Sequence, residues 1–270
     1  MSAPTSAPTS TLTFVAASAL ASGPGPVSQP TGAPFAVIGC GGGAGASTLT
    51  AALAAVAARR GYAVGIIDLD ATGGGLDVVF GIEQTPGVRW CEVCGVDGEL
   101  DGSALFEALP GVGPVSGRST GTGSIGVLSH GREPAAVPEH VVAAVVAALI
   151  TACDLVLIDA CSLEELEVVP VEIEVVVVVH ATVRGTGAAA ATASALRQSG
   201  REPVLVLRDG SPVLATQVAD VVEAPVLARI RTERRVERAL ARGIGPGARG
   251  ALASSCEHLL DALMQRRDAS

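Results

Sequence analysis

A glycine-rich stretch near the start of the sequence has the residue types of a phosphate-binding loop but lacks the lysine that such loops carry. Residues 39–50 read GCGGGAGASTLT, between an apolar run and a predicted helix. Glycines let the main chain wrap closely around a phosphate, and the N–H groups of such a loop attract anions. In the pattern GxxxxGK[ST], Gly45 keeps the last glycine, Ser47 keeps the Mg²⁺-ligating hydroxyl and Ala46 replaces the lysine. The alternative is a purely structural glycine turn between a strand and a helix.

Three aspartates follow two other apolar runs and have the chemistry of metal or water contacts. Asp68 and Asp70 end the run at 62–70, and strand alternation predicts that both lie on one face. Carboxylates there can orient a water molecule or contact the hydration shell of a metal; the alternative is a pair of solvated acids. Asp159 follows four apolar residues in DLVLIDAC, the Walker B arrangement in which the acid holds Mg²⁺ through water.

Apolar runs that alternate with helical patterns predict how these residues are brought together. Strands are predicted at 35–40, 62–70, 124–130, 154–161, 172–180, 203–209 and 224–230. Helices are predicted at 47–61, 103–110, 138–153, 187–200, 212–222, 232–243 and 250–267. This pattern predicts an α/β fold, a doubly wound and mainly parallel sheet of about seven strands with helices on both faces. Ligands in such folds bind beyond the carboxyl ends of the strands, where the glycine loop lies.

Composition divides the chain and limits its partners. Residues 1–33 are rich in Ser, Ala, Pro and Thr and are predicted to be a disordered leader, whereas 34–270 are predicted to form a single domain. The net charge of −9 argues against a protein whose main partner is nucleic acid. All 18 basic residues counted as Lys+Arg are arginines, so no lysine elsewhere can complete the loop.

The six cysteines indicate reduced thiols and a cytoplasmic protein, because no secretory signal accompanies them. Cys91 and Cys94 have CxxC spacing, but no second pair supports a zinc site.

The three motifs together resemble the MinD/ParA family of P-loop ATPases. GGGAGAST at 41–48 is similar to that family's deviant Walker A loop, KGGxGK[ST]T, and IIDLDATGGGLDVVFG and DLVLIDA resemble its second and third motifs. The resemblance covers residues 35 to about 265. DATGGGLDVVFGIEQTPGVRW, LFEALP, VLSHGR and APVLARIRTERRVERALARG look like the CpaE/TadZ branch and the actinobacterial septum-site-determining proteins.

The resemblance implies a site that binds ATP and Mg²⁺. The nucleotide would be bound by Gly41, Gly42, Gly43, Ala44, Gly45, Ala46, Ser47 and Thr48. Ser47 and Asp159 would serve the metal, and Asp70 or Asp68 would activate water. The lysine that crosses to the partner's nucleotide in this family falls on Gly41 and the phosphate-binding lysine on Ala46, so both are absent. Arg184 is the nearest candidate for a compensating cation, with an ordinary surface arginine as the alternative.

The implied function is that of a nucleotide-responsive protein that positions or regulates septum formation or pilus-secretion machinery. Hydrolysis is expected to be weak or lost, because phosphoryl transfer depends on electrostatic stabilisation of developing charge. The resemblance also implies a homodimer, protein partners from the secretion or division machinery, and peripheral association with membrane at a pole or septum.

Two other functions remain open at this stage. The first is an active Mg²⁺-ATPase that cycles between monomer and dimer. The second is a Rossmann oxidoreductase, because residues 39–44 also satisfy GxGxxA and Asp68 stands where a ribose-binding acid would be.

Two further features have structural explanations that we favour. An arginine cluster within 229–242 is interleaved with glutamates and is expected to be a solvated helix face rather than a DNA-binding surface. The C-terminal helix resembles a membrane-targeting helix but is expected to pack on the domain.

Overall fold

A single parallel sheet organises the chain. The computed structural model describes residues 32–112, 123–132, 135–169, 172–247 and 249–269. The strands are β1 (Ala33–Gly39), β2 (Val64–Asp68), β3 (Gly111–Val112), β4 (Ile125–Leu128), β5 (Leu155–Ala160), β6 (Glu174–His180), β7 (Pro203–Arg208) and β8 (Val226–Ile230). Their order in the sheet is β3-β4-β2-β5-β1-β6-β7-β8. Every pairing is parallel except β3 with β4, so the carboxyl ends of β1, β2, β5, β6 and β7 share one edge.

Helices connect the strands. They are α1 (Ala46–Arg59), α2 (Leu76–Phe80), α3 (Trp90–Val93), α4 (Gly102–Ala108), α5 (Glu139–Ala152), α6 (Leu163–Glu167), α7 (Val183–Gln198), α8 (Pro212–Val222), α9 (Arg234–Leu240) and α10 (Ala251–Ala269). Several begin at a side-chain cap, as in α7, where the Thr182 hydroxyl accepts from the Gly185 N–H at 3.0 Å. Such a cap satisfies one of the N–H groups that the first helical turn leaves without a partner.

Apolar side chains on both faces of the sheet form two cores. One core holds residues of α3, α5, α7 and α8, and the other holds residues of α1 and α10. The strands between them are buried almost throughout, as their continuous valine, leucine and isoleucine runs require. The predicted doubly wound α/β class is confirmed.

The structure differs from the predicted elements in short segments. A two-residue antiparallel strand, β3, brings the sheet to eight strands rather than seven. No element was predicted between the strand at 62–70 and the helix at 103–110, where the structure has α2 and α3, and α6 was not predicted either. These elements have seven residues or fewer, too few to establish a hydrophobic period. Residues 1–31 of the predicted leader lie outside the described residues, and Ala33 already belongs to β1.

Candidate functional site

The glycine loop joins β1 to α1 at the carboxyl edge of the sheet. Gly41, Gly43 and Gly45 have φ angles of 92°, 74° and 96°. Residues with a side chain avoid this left-handed region, so the conformation explains the glycines at these three positions. A Cβ at Gly41 or Gly43 would meet no atom within 4 Å, so packing does not require glycine there.

This loop presents unpaired main-chain donors. Six main-chain N–H groups of the loop and the first turn of α1 donate to no acceptor within the described residues. They belong to Gly42, Gly43, Gly45, Ala46, Ser47 and Thr48. Gly45 precedes α1 without any side-chain cap, so the first helical turn keeps its donors and its partial positive charge. Donors in this arrangement suit a phosphate group.

A cavity of about 380 Å³ lies against the loop and brings most of the predicted site residues together. It is lined by Gly39, Gly41, Gly42, Gly43, Ala44, Gly45, Ala46, Ser47, Thr48, Asp70, Asp159, Ala160 and Cys161. No arginine or histidine is among these lining residues, and the two charged side chains are acidic. The lost lysines are therefore not replaced inside the cavity by any described side chain.

Asp159 ends β5 beneath the loop and is almost fully buried. Its Oδ1 accepts a hydrogen bond from Thr50 Oγ1 of α1 at 3.2 Å. Burial raises the pKa of Asp159 to about 6, and hydrogen bonds from the Ser47 and Thr50 hydroxyls oppose that rise. Ser47 and Asp159 thus lie together, as expected of a hydroxyl and a carboxylate that serve one Mg²⁺ ion.

Only one of the two aspartates predicted to end the second strand lines the cavity, which corrects the prediction that both lie on one face. The strand ends at Asp68, so alternation does not extend to Asp70. The Asp68 carboxylate is buried and accepts from the main-chain N–H groups of Leu76 at 2.8 Å and Asp70 at 3.2 Å. Asp70 lines the cavity, with Oδ1 held by the Thr72 and Gly73 N–H groups. Asp70 is therefore the candidate to contact water, and Asp68 holds the following turn.

Burial also changes the protonation of Asp68. Loss of solvent raises its pKa to about 7, with a smaller contribution from the neighbouring Asp159 carboxylate. The two residues are register partners on β2 and β5, so their charges repel each other across the strands.

Cys161 and Glu165 extend the acidic side of the cavity and were not predicted from the sequence. The Cys161 thiol donates to Glu165 Oε1 at 3.1 Å, and the Glu165 carboxylate also accepts from the Cys161 N–H at 2.8 Å. Loss of water around the sulfur, and then the Glu165 carboxylate, raise the pKa of Cys161 to about 12. The thiol is therefore neutral near pH 7. Its position two residues after Asp159 was the available sequence signal.

The arginine that contacts the loop is Arg208, at the end of β7, and not the predicted Arg184. Arg184 is exposed near the start of α7 and does not line the cavity. Arg208 Nη1 donates to the carbonyl oxygens of Gly43 at 2.8 Å and Ala44 at 3.1 Å. Arg208 is not among the residues that line the cavity. Sequence reasoning missed it because 165 residues separate Arg208 from Gly43.

Other predicted features can be placed in the structure. Cys91 lies in α3 and Cys94 follows it, and both are free thiols. The described residues contain no group of three or more histidine, cysteine or acidic side chains arranged to hold a metal. The C-terminal helix α10 packs on α1 and β8 through its leucines, as expected. No helix in the described ranges combines the length and apolar character needed to span a bilayer.

A family model matches the first part of the chain, and solved structures match its fold. The ParA family model, described as NUBPL iron-transfer P-loop NTPase, matches residues 32–159. The septum site-determining protein MinD complexed with Mg-ADP from Pyrococcus horikoshii has a TM-score of 0.64 at 20% identity, covering 86% of this chain and 96% of that one. The MinC:MinD cell division complex of Aquifex aeolicus gives 0.66 at 17% identity, with coverage of 86% and 96%. These matches show a ParA-like segment at residues 32–159 and a fold shared with the MinD structures.

A curated relative is similar in sequence over most of the chain. An uncharacterized protein of Mycobacterium tuberculosis, found in strains CDC 1551 / Oshkosh and ATCC 25618 / H37Rv, is 34% identical over 248 residues. The alignment covers 86% of this chain and 64% of the relative, so the chain spans less than two thirds of that protein's length. None of these matches names the CpaE/TadZ branch.

The sheet order argues against the Rossmann alternative. Dinucleotide-binding folds with strand order 3-2-1-4-5-6 place the second strand beside the first. Here β5 separates β1 from β2. The Asp68 carboxylate, which would bind a ribose, is instead turned onto the main chain of the following residues.

Proposed function

We propose that this protein binds Mg²⁺-ATP in the cavity beside the glycine loop and acts as a nucleotide-responsive positioning protein of the septum or of pilus-secretion machinery. One observation carries the nucleotide part of the proposal. Unpaired N–H groups of the loop line the same cavity as the Ser47 hydroxyl and the carboxylates of Asp70 and Asp159. Amide donors suit phosphate oxygens, and hydroxyl and carboxylate oxygens suit Mg²⁺.

The cation in this site would have to come with the nucleotide. The cavity side chains are acidic, and no lysine exists in the sequence to offset the phosphate charges. When bound, Mg²⁺ supplies positive charge between the phosphates and the acidic side chains. The chain's own residues hold the phosphates through the loop amides, and Ser47 and Asp159 would hold the ion.

Hydrolysis is expected to be weak or lost. Asp70 lines the cavity and would orient a water molecule, but neither of the two lysines of the MinD/ParA pattern is present to stabilise the developing charge. Removing one stabilising donor of this kind costs about 3–4 kcal/mol in the transition state. Ground-state binding loses less, because the loop amides and the helix terminus remain.

The cellular role rests on relatives and on the sequence resemblance. The similar structures include a septum site-determining protein and a MinC:MinD cell division complex. Our proposal includes a homodimer, a division or secretion partner, and peripheral association with the membrane at a pole or septum. Nucleotide binding would then control the interaction with that partner, without repeated cycles of hydrolysis.

Calorimetry of nucleotide binding tests the proposal directly. Wild-type protein is titrated with ATP in the presence of Mg²⁺ and again with excess EDTA. We expect measurable heat only with Mg²⁺, and at least about tenfold weaker binding for Ser47→Ala, because an oxygen ligand is lost. Ser254→Ala, an exposed serine on α10, is the matched control and should bind as wild type. Absence of binding at millimolar Mg²⁺-ATP contradicts the proposal.

Turnover separates the proposed binder from the active ATPase alternative. Phosphate release from Mg²⁺-ATP is measured for wild type and Asp70→Ala. We expect a rate near background for both proteins. A wild-type rate that Asp70→Ala abolishes would establish an enzyme.

Imaging of labelled protein in dividing cells tests the cellular role. Polar or septal foci that disperse for Ser47→Ala but persist for Ser254→Ala are expected. Uniform distribution of the wild type would contradict a positioning role.

A further inference from the structure

Two basic side chains from neighbouring strands contact carbonyl oxygens of the glycine loop, and neither side chain lines the cavity. We call this carbonyl side of the loop its outer side. Arg208 Nη1 donates to the oxygens of Gly43 and Ala44 at 2.8 and 3.1 Å, and His180 Nε2 lies 3.2 Å from the same Gly43 oxygen. His180 and Arg208 are register partners at the ends of β6 and β7. Both therefore project toward the loop from the same edge of the sheet.

A second layer holds the Arg208 side chain in place. Its Nε donates to Thr232 Oγ1 at 3.0 Å. Asp209 in turn accepts from the Thr232 N–H at 2.7 Å and from the Thr232 hydroxyl at 2.6 Å. Asp209 adopts a φ of 60°, unusual for a residue with a side chain, so the turn after β7 is held in a strained conformation. These contacts restrict the guanidinium to one orientation, and its side chain is only 21% exposed.

Peptide geometry links these outer contacts to the inner face of the loop. No cis peptide occurs in the described residues, so the C=O and N–H of each planar peptide unit point in opposite directions. The Ala44 carbonyl shares its peptide unit with the Gly45 N–H, one of the unpaired donors of the loop. The Gly43 carbonyl shares its unit with the Ala44 N–H, which donates to the Gly41 oxygen at 3.3 Å. Holding the two carbonyls therefore directs the Ala44 and Gly45 N–H groups away from Arg208, and of these two the Gly45 N–H is free for a ligand.

The loop needs such support because its own residues restrict it little. Glycine at 41–43 and 45 leaves the peptide units free to rotate, since no Cβ limits φ. The position at which other phosphate-binding loops carry a lysine that can interact with bound phosphates is occupied here by Ala46. Arg208 approaches closely enough that a Cβ at Gly45 would lie 3.1 Å from its Nη1.

We propose that Arg208 is a positioning residue for the loop: through the carbonyls of Gly43 and Ala44 it fixes the two peptide units between Gly43 and Gly45, so that the unpaired Gly45 N–H is preorganised for phosphate. This inference rests on the proposed nucleotide binding for its functional consequence. Its structural part concerns the protein without nucleotide. Arg208 acts through the main chain, and its positive charge behind the two carbonyls also favours the aligned dipoles that attract an anion.

Loop order in the nucleotide-free protein and nucleotide affinity are measured together. Arg208→Met removes every donor while keeping an extended side chain. We expect the ¹⁵N order parameters of the Ala44 and Gly45 amides to fall from about 0.85 to below about 0.6. The Kd for Mg²⁺-ADP should rise about tenfold to hundredfold, because the charged donor that holds two loop carbonyls is lost. Arg208→Lys, which keeps the charge but loses the planar guanidinium, should recover part of both quantities.

Two further variants keep the test decisive. Arg184→Met, at an exposed arginine of α7, is the matched control and should leave order parameters and Kd unchanged. Thr232→Val removes the hydroxyl that orients Arg208 and should lower the same order parameters by a smaller amount. This variant keeps the inference testable if Arg208→Met fails to fold.

The outcomes separate this inference from the proposed function. Unchanged loop order parameters in folded Arg208→Met and Thr232→Val overturn the inference, whatever the nucleotide affinity. Unchanged affinity in a loosened Arg208→Met loop also overturns the positioning role. A wild type that binds no nucleotide overturns the proposed function, while loosening of the loop in Arg208→Met would still support the contact that we assign to Arg208.

Discussion

Ala46 is the residue that most separates this loop from other phosphate-binding loops, and it lines the cavity. Its neighbours Gly45 and Ser47 keep the expected types, so Ala46→Lys recreates the sequence GKS. We predict that Ala46→Lys lowers the Kd for Mg²⁺-ATP about tenfold or more, because one charge-assisted hydrogen bond to phosphate is worth about 1.5–3 kcal/mol. Calorimetry measures the change.

Ala251→Lys is the control for Ala46→Lys. It adds the same charge at an exposed alanine that begins α10. Its Kd should stay within about twofold of wild type. Equal tightening by both variants would mean that net charge, and not the loop position, limits binding, and no change in either would contradict the loop site.

The burial of the Asp68 carboxyl group leads to a prediction about how the stability of the fold depends on pH. Its pKa is raised from 3.8 to about 7, so the folded protein holds a proton that the unfolded chain releases. The resulting stabilisation is fully present below about pH 3.8 and is lost as pH rises through about 7. Between pH 5.5 and 8 the Asp68 contribution should fall by about 2 kcal/mol.

Urea unfolding at these two pH values measures that contribution. For Asp68→Asn, which cannot ionise, the decrease in the free energy of unfolding from pH 5.5 to 8 should be smaller than in wild type by about 2 kcal/mol. Asp159, with its pKa raised to about 6, retains part of the slope in both proteins. Asp220→Asn, at an exposed aspartate of α8, should keep the wild-type slope. An Asp68→Asn slope equal to wild type would show that Asp68 is ionised throughout.

Secondary structure elements were predictable where their patterns are long and one-sided. The runs VVVVV of β6 and LVLI of β5 cannot be satisfied except in a sheet covered on both faces, so both strands were predicted to within two residues. The contact between Arg208 and the loop was not predictable, because it exists only when β6 and β7 are placed in order beside β1. Likewise β2 was predicted to reach Asp70, but hydrogen bonds to the Asp68 carboxylate end the strand earlier.

The packing of α4 on α5 depends on a residue without a side chain. Gly102 begins α4 and is buried, and a Cβ there would lie 2.1 Å from the Ala148 carbonyl oxygen and 2.8 Å from Thr151 Oγ1. We predict that Gly102→Ala lowers the free energy of unfolding by about 1–3 kcal/mol, because α4 must move away from the α5 main chain. Urea unfolding measures the change.

Gly95→Ala is the element-scale control. A Cβ at Gly95 would meet no atom within 4 Å, so that substitution should be neutral or slightly stabilising through the unfolded chain. If Gly102→Ala is also neutral, α4 is free to shift on α5.

At the scale of the whole molecule, the two cores depend on different helices but share one sheet. The carboxyl edge of that sheet carries the loop, Asp70 and Asp159, while α1 runs from the loop into the core that it shares with α10. Salt bridges also join these helices at the surface, where Arg59 faces Glu257 at 3.4 Å. The helix that follows the loop and the C-terminal helix therefore share one core, and we expect them to unfold together.

The packing of α10 can be tested by substitution. Its sequence resembles a membrane-targeting helix, but in the structure α10 packs on the domain. Leu259 is fully buried between α10 and the sheet. We predict that Leu259→Ala lowers the free energy of unfolding by about 2–5 kcal/mol, through lost apolar burial and the cavity left behind. Val221→Ala, at a 62% exposed valine of α8, should change it by less than about 0.5 kcal/mol. Unchanged stability in Leu259→Ala, together with weakened sedimentation on anionic vesicles, would instead show that α10 leaves the domain to bind membrane.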